Sequence, residues 1–341
     1  MPTLPLSVLD LSPIPSGSTA GQALANTIEL GRHAERIGLA RYWLAEHHNA
    51  MSLASSAPEI MISQVAAATG SIRVGSGGMM LPNHSPLKVA ELFRVLHALF
   101  PGRIDLGIGR AAGTDPRTAL ALRRSHHALA GEDFPKQLDQ LFAYLDADAT
   151  PRDPFTRTIA AIPSGVPRPV IYMLGSSDYG ARLAAALGLG FAFARHINPD
   201  DAVSMMQAYR SEFRSAAGGS GPYAILAVSA ICAETDEEAE RLASSSYLSG
   251  LRFAQGLRDL PLPSVEEALA YRYDPEEEAL RRTYAARHIV GSAAHVAEQL
   301  RALASQCAAD ELMVMTHVHD PAARKQSYTL LARELGVPRR E

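Results

Sequence analysis

The sequence contains little cysteine, no long apolar run and no excess of one charge. Its two cysteines, Cys232 and Cys307, form no C-x-x-C pair, which argues against a disulfide framework and fits a reducing cytoplasm. No apolar run is long enough to cross a bilayer, and residues 1–10 have no cationic region, so we expect a strand there rather than a signal peptide. The net charge of −4 comes from interspersed acids and bases without a basic stripe, which disfavours nucleic acid and anionic membranes as partners.

Hydrophobic residues make up 47% and charged residues 20% of the 341 positions, which favours a large buried core over a disordered chain. Short β-rich runs alternate with helical patterns. Eight strands are predicted, at residues 4–10, 42–45, 72–79, 103–108, 169–174, 191–194, 223–232 and 311–316. Eight strand–helix units favour a single (β/α)8 TIM barrel over residues 1–341, with an open doubly wound sheet as the structural alternative.

Local signals mark the starts of two early helices. Thr19 with Gln22, and Ser56 with Glu59, have the spacing of capping boxes. Helices are therefore predicted to begin after Thr19 and after Ser56.

Two gaps between the predicted strands are too long for plain connections. They are residues 111–168, after the fourth strand, and residues 234–291, after the seventh. The first contains a helical stretch at 134–145, and the second is charged, rich in tyrosine and interrupted by prolines. Both leave from the C-terminal ends of strands, where barrel enzymes have their active sites, so we expect walls or a lid over the site.

Glu46-His47-His48 follows the second strand, at the expected mouth of the barrel. Imidazole exchanges a proton near neutral pH, and adjacent residues of a strand point to opposite sides. One histidine can therefore face the mouth while the other packs sideways. His47 and His48 are candidate catalytic residues, and two structural histidines are the alternative.

Gly75-Ser76-Gly77-Gly78 lies inside the third strand. Glycine weakens a strand, so this cluster needs a physical reason. It predicts a bulge, a tight barrel corner, or a place where a flat ring lies against bare backbone.

Arg110 ends the fourth strand, and Ser176-Ser177-Asp178 opens the helix after the fifth. A guanidinium grips phosphate bidentately, and a helix N-terminus offers free N–H groups. Because the two strands are adjacent, one phosphate could touch Arg110 and both serines. The alternatives are a surface ion pair for the arginine and simple N-capping by the serines.

Two further patterns imitate known sites. Residues 107–113 resemble a dinucleotide-binding glycine fingerprint, but Thr114-Asp115-Pro116 follows where the crossover helix should already run, so no NAD site is predicted. His126-His127 and His317-Val318-His319-Asp320 resemble metal ligands. Barrel metallohydrolases need a His-x-His on the first strand, which residues 4–10 lack, so no metal site is predicted.

Several motifs, in the same order, closely resemble those of the bacterial luciferase-like flavin monooxygenases. They lie at residues 42–49 (YWLAEHHN), 73–75 (RVG), 81–86 (LPNHSP), 102–110 (GRIDLGIGR) and 174–177 (LGSS). The likeness extends to the last strand and helix and so spans nearly the whole chain. Several motifs in order are much more specific than any one alone.

The resemblance implies a (β/α)8 barrel, commonly a homodimer, that takes reduced FMN from a separate flavin reductase. It also implies that dioxygen forms a flavin peroxide, which oxygenates a small substrate. By position, His47 resembles the family's catalytic histidine, and Gly77-Gly78 falls where the family often has a non-proline cis peptide under the flavin ring. The family's phosphate clamp is matched by Arg110, Ser176 and Ser177, with the backbone N–H groups of Tyr179 and Gly180.

One position departs from the family pattern. Light-emitting luciferases have a reactive cysteine just before the clamp arginine, where this chain has Gly109, so light emission from a long-chain aldehyde is not implied. Two other functions remain open on the same barrel. A deazaflavin-dependent oxidoreductase would need basic residues for the acidic tail of its cofactor, and a non-catalytic flavin-binding protein would need no catalytic histidine.

Overall fold

Eight parallel strands close into a barrel in the computed structural model, which describes residues 4–123, 133–146, 158–215 and 221–339. The first seven barrel strands are β1 (Leu6–Asp10), β2 (Arg41–Leu44), β3 (Arg73–Met80), β4 (Ile104–Gly109), β5 (Val170–Gly175), β6 (Gly190–Ala194) and β7 (Ala224–Ala233). The eighth is β9 (Glu311–Met315), which pairs with both β7 and β1 and so closes the ring. The predicted TIM barrel is therefore confirmed, and the open sheet is wrong.

Helices surround the barrel in the alternating order that parallel strands require. They are α1 (Ala20–Arg36), α2 (Pro58–Ala67), α3 (Pro86–Leu99), α6 (Asp178–Leu187), α7 (Ala202–Glu212), α11 (Ala293–Gln306) and α12 (Pro321–Glu334). The gap after β4 adds α4 (Pro116–Arg123) and α5 (Phe134–Leu145), and the gap after β7 adds α8 (Asp236–Ala254), α9 (Val265–Ala270) and α10 (Pro275–Ala285). Within the described ranges, no helix combines the length and the apolarity needed to cross a membrane.

A ninth strand, β8 (His288–Ser292), was not predicted from the sequence. It pairs in parallel with the C-terminal half of β7, with Ser229 opposite His288 and Ala233 opposite Ser292. β7 is ten residues long, so its outer half extends beyond the barrel and leaves an edge to which β8 adds. The segment 234–291 therefore returns to the sheet before α11 begins.

The two predicted capping boxes have different outcomes. Thr19 accepts a hydrogen bond from the Gln22 N–H at 3.2 Å, and α1 begins at the next residue. The helix predicted after Ser56 is present as α2, but the predicted cap is wrong, because α2 begins at Pro58 and has no side-chain cap. Proline lacks an N–H and has a helical φ, so it starts a helix without a capping side chain.

Charged side chains fill the barrel interior at the N-terminal ends of the strands. The buried Arg41 guanidinium lies 2.8 Å from carboxylate oxygens of both Asp105 and Glu311. Above this layer, Trp43 donates to Asp105 at 3.1 Å and packs edge-to-face on Tyr172, with 5.0 Å between ring centres. The barrel is therefore filled up to the level of Trp43, and any ligand site must lie at the C-terminal ends of the strands.

Candidate active site

A cavity of about 380 Å³ opens at the C-terminal ends of the barrel strands, above Trp43. Its walls come from residues that follow β2, β4, β5 and β6, among them His47, Arg110, Ser176 and His196. This is where barrel enzymes bind their ligands, because loops from several strands converge there.

The three residues after Ala45 divide between two environments. His47 lines the cavity, whereas Glu46 and His48 contact each other, with 3.0 Å between Glu46 Oε1 and His48 Nε2. This alternation follows from extended backbone, in which successive side chains lie on opposite faces. Of the two predicted catalytic histidines, the structure therefore brings His47 into the cavity. The side chain of His48 does not line the cavity and is bound to Glu46.

His47 is a neutral imidazole. Its Nδ1 atom is inaccessible to solvent and has no hydrogen-bond partner among the described residues. Removal of the ring from water, and then the proximity of His196, lower the pKa of His47 to about 4. At pH 7 the ring therefore offers one donor N–H and one acceptor nitrogen, and it adds no charge to the cavity.

The carboxylate of Glu46 ties the end of β2 to the segment after β3. It is fully buried, accepts hydrogen bonds from the Met80 N–H at 2.8 Å and the Asn83 amide at 3.0 Å, and lies 3.0 Å from His84 Nε2. Burial opposes its ionisation, but hydrogen bonds from His48 and His84 lower the pKa of Glu46 to about 2. Burial likewise opposes protonation of His84, but the hydrogen bond to Glu46 raises the pKa of His84 above its ordinary value. Glu46 and His84 therefore form a partly buried ion pair at pH values between the pKa of Glu46 and the raised pKa of His84.

Bare backbone faces the cavity at Gly77. The Gly77–Gly78 peptide bond is cis, and the register between β3 and β4 shifts between Gly77 and Met79. A Cβ on Gly77 would lie 2.7 Å from Leu9 Cδ1, and one on Gly78 would lie 3.1 Å from the Gly107 carbonyl oxygen. Gly78 therefore packs against β4, whereas Gly77 lines the cavity. Of the predicted explanations for the glycine cluster, a bulge is present. It lies where the backbone of Gly77 lines the cavity.

Polar groups that follow β4 and β5 meet in the same cavity. The exposed Arg110 guanidinium lies 4.0 Å from the centre of the Tyr179 ring and makes no ion pair within the described part of the chain. Ser177 is the N-cap of α6, but its hydroxyl does not cap the helix, and it lines the cavity beside Ser176 and Gly180. An unpaired guanidinium, two hydroxyls and the free N–H groups of the first turn of α6 together suit a phosphate.

Residues 4–310 match the luciferase-like monooxygenase family. The chain belongs to this family. It is similar over 96% of its length to three curated proteins. The uncharacterized protein YvbT of Bacillus subtilis (strain 168) is 43% identical, with 95% of its own length covered. The luciferase-like monooxygenase of Escherichia coli (strain K12) is 40% identical with 96% covered, and the N-acetyl-S-alkylcysteine monooxygenase of B. subtilis (strain 168) is 35% identical with 97% covered.

Solved structures agree with this membership. Apo-MsnO8 superimposes with a TM-score of 0.88 at 40% identity, with 99% of both chains covered. Two more distant structures share the fold. The oxygenating constituent of 3,6-diketocamphane monooxygenase from Pseudomonas putida, in complex with FMN, has a TM-score of 0.69 at 19% identity over 98% of both chains. An F420-dependent secondary alcohol dehydrogenase has a TM-score of 0.64 at 12% identity over 98% of this chain and 99% of its own.

A second chamber, of about 260 Å³, adjoins the first cavity in this luciferase-like monooxygenase. The two share Leu11, His47, His196 and Met315 as a common wall. The far side of the second chamber is formed by the segment after β7, through residues of α8, of α10 and of the loop at 257–261. His47 therefore borders both spaces.

Some residues of the second chamber were not assigned to the site by the sequence. His288 lies in the unpredicted strand β8, and its Nδ1 is 2.7 Å from Ser229 Oγ. His317 appeared only within a metal-like pattern, although its position after β9 is a signal of the same kind as that of His47. Its Nε2 is inaccessible to solvent and has no partner among the described residues. Asn83 and His84, which belong to the LPNHSP motif, line neither chamber and bind Glu46.

The two patterns that imitate other sites have structural explanations. Gly107 and Gly109 lie inside β4, where a Cβ on Gly107 would come within 2.2 Å of the Ser76 carbonyl oxygen, so they serve close strand packing rather than a strand–helix turn. Within the described residues, no group of three or more His, Cys, Asp or Glu side chains is arranged to hold a metal ion. His126 and His127 lie outside the described residues.

We predict that Glu46→Gln destabilises the protein in a pH-dependent way. The Glu46 carboxylate, with a pKa near 2 instead of 4.5, stabilises the fold above pH 4.5 and loses this effect as the pH falls towards 2. The raised pKa of His84 stabilises the fold below pH 6.5, and this effect is lost as the pH rises through the raised value. Urea unfolding should therefore show the largest loss, roughly 3 kcal/mol, between these limits.

The matched control is Glu29→Gln, which removes an exposed carboxylate paired with Arg32. It should change the free energy of unfolding by less than about 1 kcal/mol. A loss at Glu46→Gln that stays constant from pH 3 to pH 8 would show that the carboxylate and its histidine partners do not carry the effect.

Proposed function

We propose that this enzyme uses reduced FMN and dioxygen to oxygenate a small organic substrate, with FMN bound in the first cavity. The observation that carries the proposal is a convergence of three features on one cavity. These are the unpaired Arg110 beside the free N-terminus of α6, the bare backbone of Gly77, and the neutral imidazole of His47. They match, in turn, a phosphate, a flat ring and a reacting group.

The residues present fit FMN in their chemistry. Ser177 and the first-turn N–H groups of α6 would bind the phosphate, and Arg110 would neutralise it. Gly77 adds backbone without a side chain to the wall that the ring would contact, and Leu9 leaves no room for a Cβ there. The FMN in the distant P. putida structure, on the same fold, supports this choice of cofactor.

Reduced FMN supplies the two electrons with which dioxygen is activated for transfer of one oxygen atom to the substrate. The residues of this chain would position the reactants and exclude water. Leu11 and Met315, on the wall between the two chambers, keep the reacting region apolar. His47, which is neutral and lines both chambers, would hold or accept a proton there.

The glycines that imitate a dinucleotide fingerprint lie inside β4 and do not form the strand–helix turn of an NAD site. We therefore propose that FMN is reduced by a separate flavin reductase. We place the enzyme in the cytoplasm, which fits its two free, buried cysteines. The name of the N-acetyl-S-alkylcysteine monooxygenase supports thioethers as one substrate class to test.

We predict that Arg110→Met weakens binding of FMN but not of riboflavin, which lacks the phosphate. Loss of charge-assisted hydrogen bonds should reduce the affinity for FMN by about 10- to 100-fold. Anaerobic titration of the protein with each reduced flavin would measure both affinities. Arg117→Met is the control, since Arg117 is exposed and does not line the cavity. Equal losses for FMN and riboflavin would place the phosphate elsewhere.

The activity itself can be tested by adding oxygen to the protein with reduced FMN and a panel of aldehydes, ketones, amines and thioethers. We expect one substrate class to gain a single oxygen atom, which mass spectrometry would detect. Turnover only with a reduced deazaflavin, without oxygen uptake, would overturn the proposal in favour of a hydride-transferring enzyme. Flavin binding with no substrate-dependent turnover would indicate a flavin carrier.

With a substrate identified in that way, His47→Asn should reduce product formation by about 10²- to 10⁴-fold and divert oxygen to hydrogen peroxide. Because the pKa of His47 is about 4, its titration should not appear in the activity profile between pH 6 and pH 8. His295→Asn is the control, since His295 is exposed and does not line the cavity, and it should keep full activity. Full activity of the His47→Asn variant would exclude the proposed role.

We also propose that the chain forms a homodimer through α2 and α3. Ile60 on α2, with Val95 and Leu99 on α3, are 59%, 45% and 62% exposed on these neighbouring helices. Light scattering should give twice the mass of one chain, and Leu99→Lys should shift it towards the monomer. Leu269→Lys, at a residue of α9 that is 61% exposed, should leave the dimer intact. A monomeric wild-type protein would contradict the proposal.

A further inference from the structure

The second chamber has an unbalanced set of ionisable side chains. Among the described residues, its lining includes three arginines and four histidines but no aspartate or glutamate. The arginines are Arg252, Arg258 and Arg287, and the histidines are His47, His196, His288 and His317.

The histidines do not contribute charge. Removal from water, which is the largest cause in each case, lowers the pKa of His47, His196 and His288 to about 4 and that of His317 to about 3. Their mutual proximity acts in the same direction. At neutral pH the charge of the chamber is therefore that of its guanidinium groups.

The three arginines differ in their partners. Arg252 forms an ion pair with Glu267 at 2.6 Å, and Arg258 lies 3.9 Å from the carboxylate of Asp115. The guanidinium of Arg287 lies over the ring of Tyr284, 5.2 Å from its centre, and makes no hydrogen bond or ion pair within the described residues. Arg287 is thus a half-buried cation that the described residues leave unbalanced.

An unbalanced cation in a cavity with low-dielectric walls attracts an anion and orients it. Other residues of the lining have a different character. His47 and His317 contribute neutral rings, and Leu11 and Met315 are apolar. A ligand suited to this chamber has an acidic group for Arg287, an apolar part, and a segment that reaches His47 on the wall shared with the first cavity.

We propose that the second chamber binds the substrate and that the substrate is an organic anion whose acidic group is held by Arg287. That this ligand is the substrate rests on the proposed function, because the first cavity must hold the cofactor. The anion site itself rests on the residues of the second chamber alone. The two claims can therefore fail separately.

The test compares octanoate with octanamide, which has the same chain but no charge. Calorimetry at pH 7.5 and constant ionic strength should show that octanoate binds the flavin-free protein at least about 10-fold more tightly. Arg287→Met should weaken octanoate binding by about 10- to 100-fold and leave octanamide binding unchanged. Arg287→Lys, which keeps the charge without the planar fork, should retain part of the preference.

Two control variants identify the group responsible. Arg282→Met removes an exposed cation of α10 that pairs with Glu278, and Arg110→Met removes the cation of the first cavity. Neither should change octanoate binding. Equal binding of octanoate and octanamide, no effect of Arg287→Met, or an equal loss in either control would overturn the anion site.

Titration with reduced FMN separates this inference from the proposed function. Arg287→Met should bind reduced FMN as the wild-type protein does, because Arg287 does not line the first cavity. A wild-type protein that discriminates octanoate through Arg287 but does not bind reduced FMN would retain the anion site and refute the proposed function. A protein that binds FMN but does not discriminate octanoate would refute the anion site alone.

Discussion

The buried carboxylate of Glu46 is the constraint on which the geometry of the site depends. It binds the Met80 N–H, the Asn83 amide and the His84 ring, and so fixes the end of β3 against the end of β2. Because Glu46 occupies one side of the extended chain, the next residue must point to the other side, where the cavity lies. The orientation of His47 thus follows from a hydrogen-bonded neighbour, although Nδ1 of His47 itself has no partner among the described residues.

The side chains that fill the N-terminal half of the barrel also limit where a ligand can bind. Arg41, Asp105 and Glu311 satisfy one another at the N-terminal end, and Trp43 covers them. Breaking a buried ion pair costs several kcal/mol, so we expect this end of the barrel to be rigid and closed to ligands. The space that remains is at the strand ends, and it is divided by a wall to which His47 and His196 both contribute.

Much of this architecture could be predicted from local sequence. The eight barrel strands have β-rich, buried sequences of the usual length, and Arg110, Ser176 and Ser177 could be placed at strand and helix ends by counting. The strand β8 could not, because it contains Gly291 and follows charged helices. The roles of Asn83 and His84 could not either, since their partner Glu46 is 37 and 38 positions away in the sequence. The false capping box at Ser56 shows that a local pattern can also mislead, because the helix begins at Pro58 without a capping side chain.

The second chamber contains two distinct kinds of polar group, neutral imidazoles and charged guanidiniums. Four histidines withdrawn from water lose their protons, which prevents repulsion between them and leaves each ring with one donor and one acceptor nitrogen. An arginine does not deprotonate under these conditions, so it keeps its charge in the same chamber. In this proposal, arginine binds the charged group of the ligand, and histidine holds or accepts the proton. The residue that would recognise the ligand, Arg287, lies in the segment after β7, and the residue that would act on it, His47, lies in the barrel. Changes in that segment could therefore alter which ligand binds without disturbing the wall at which the reaction is proposed to occur.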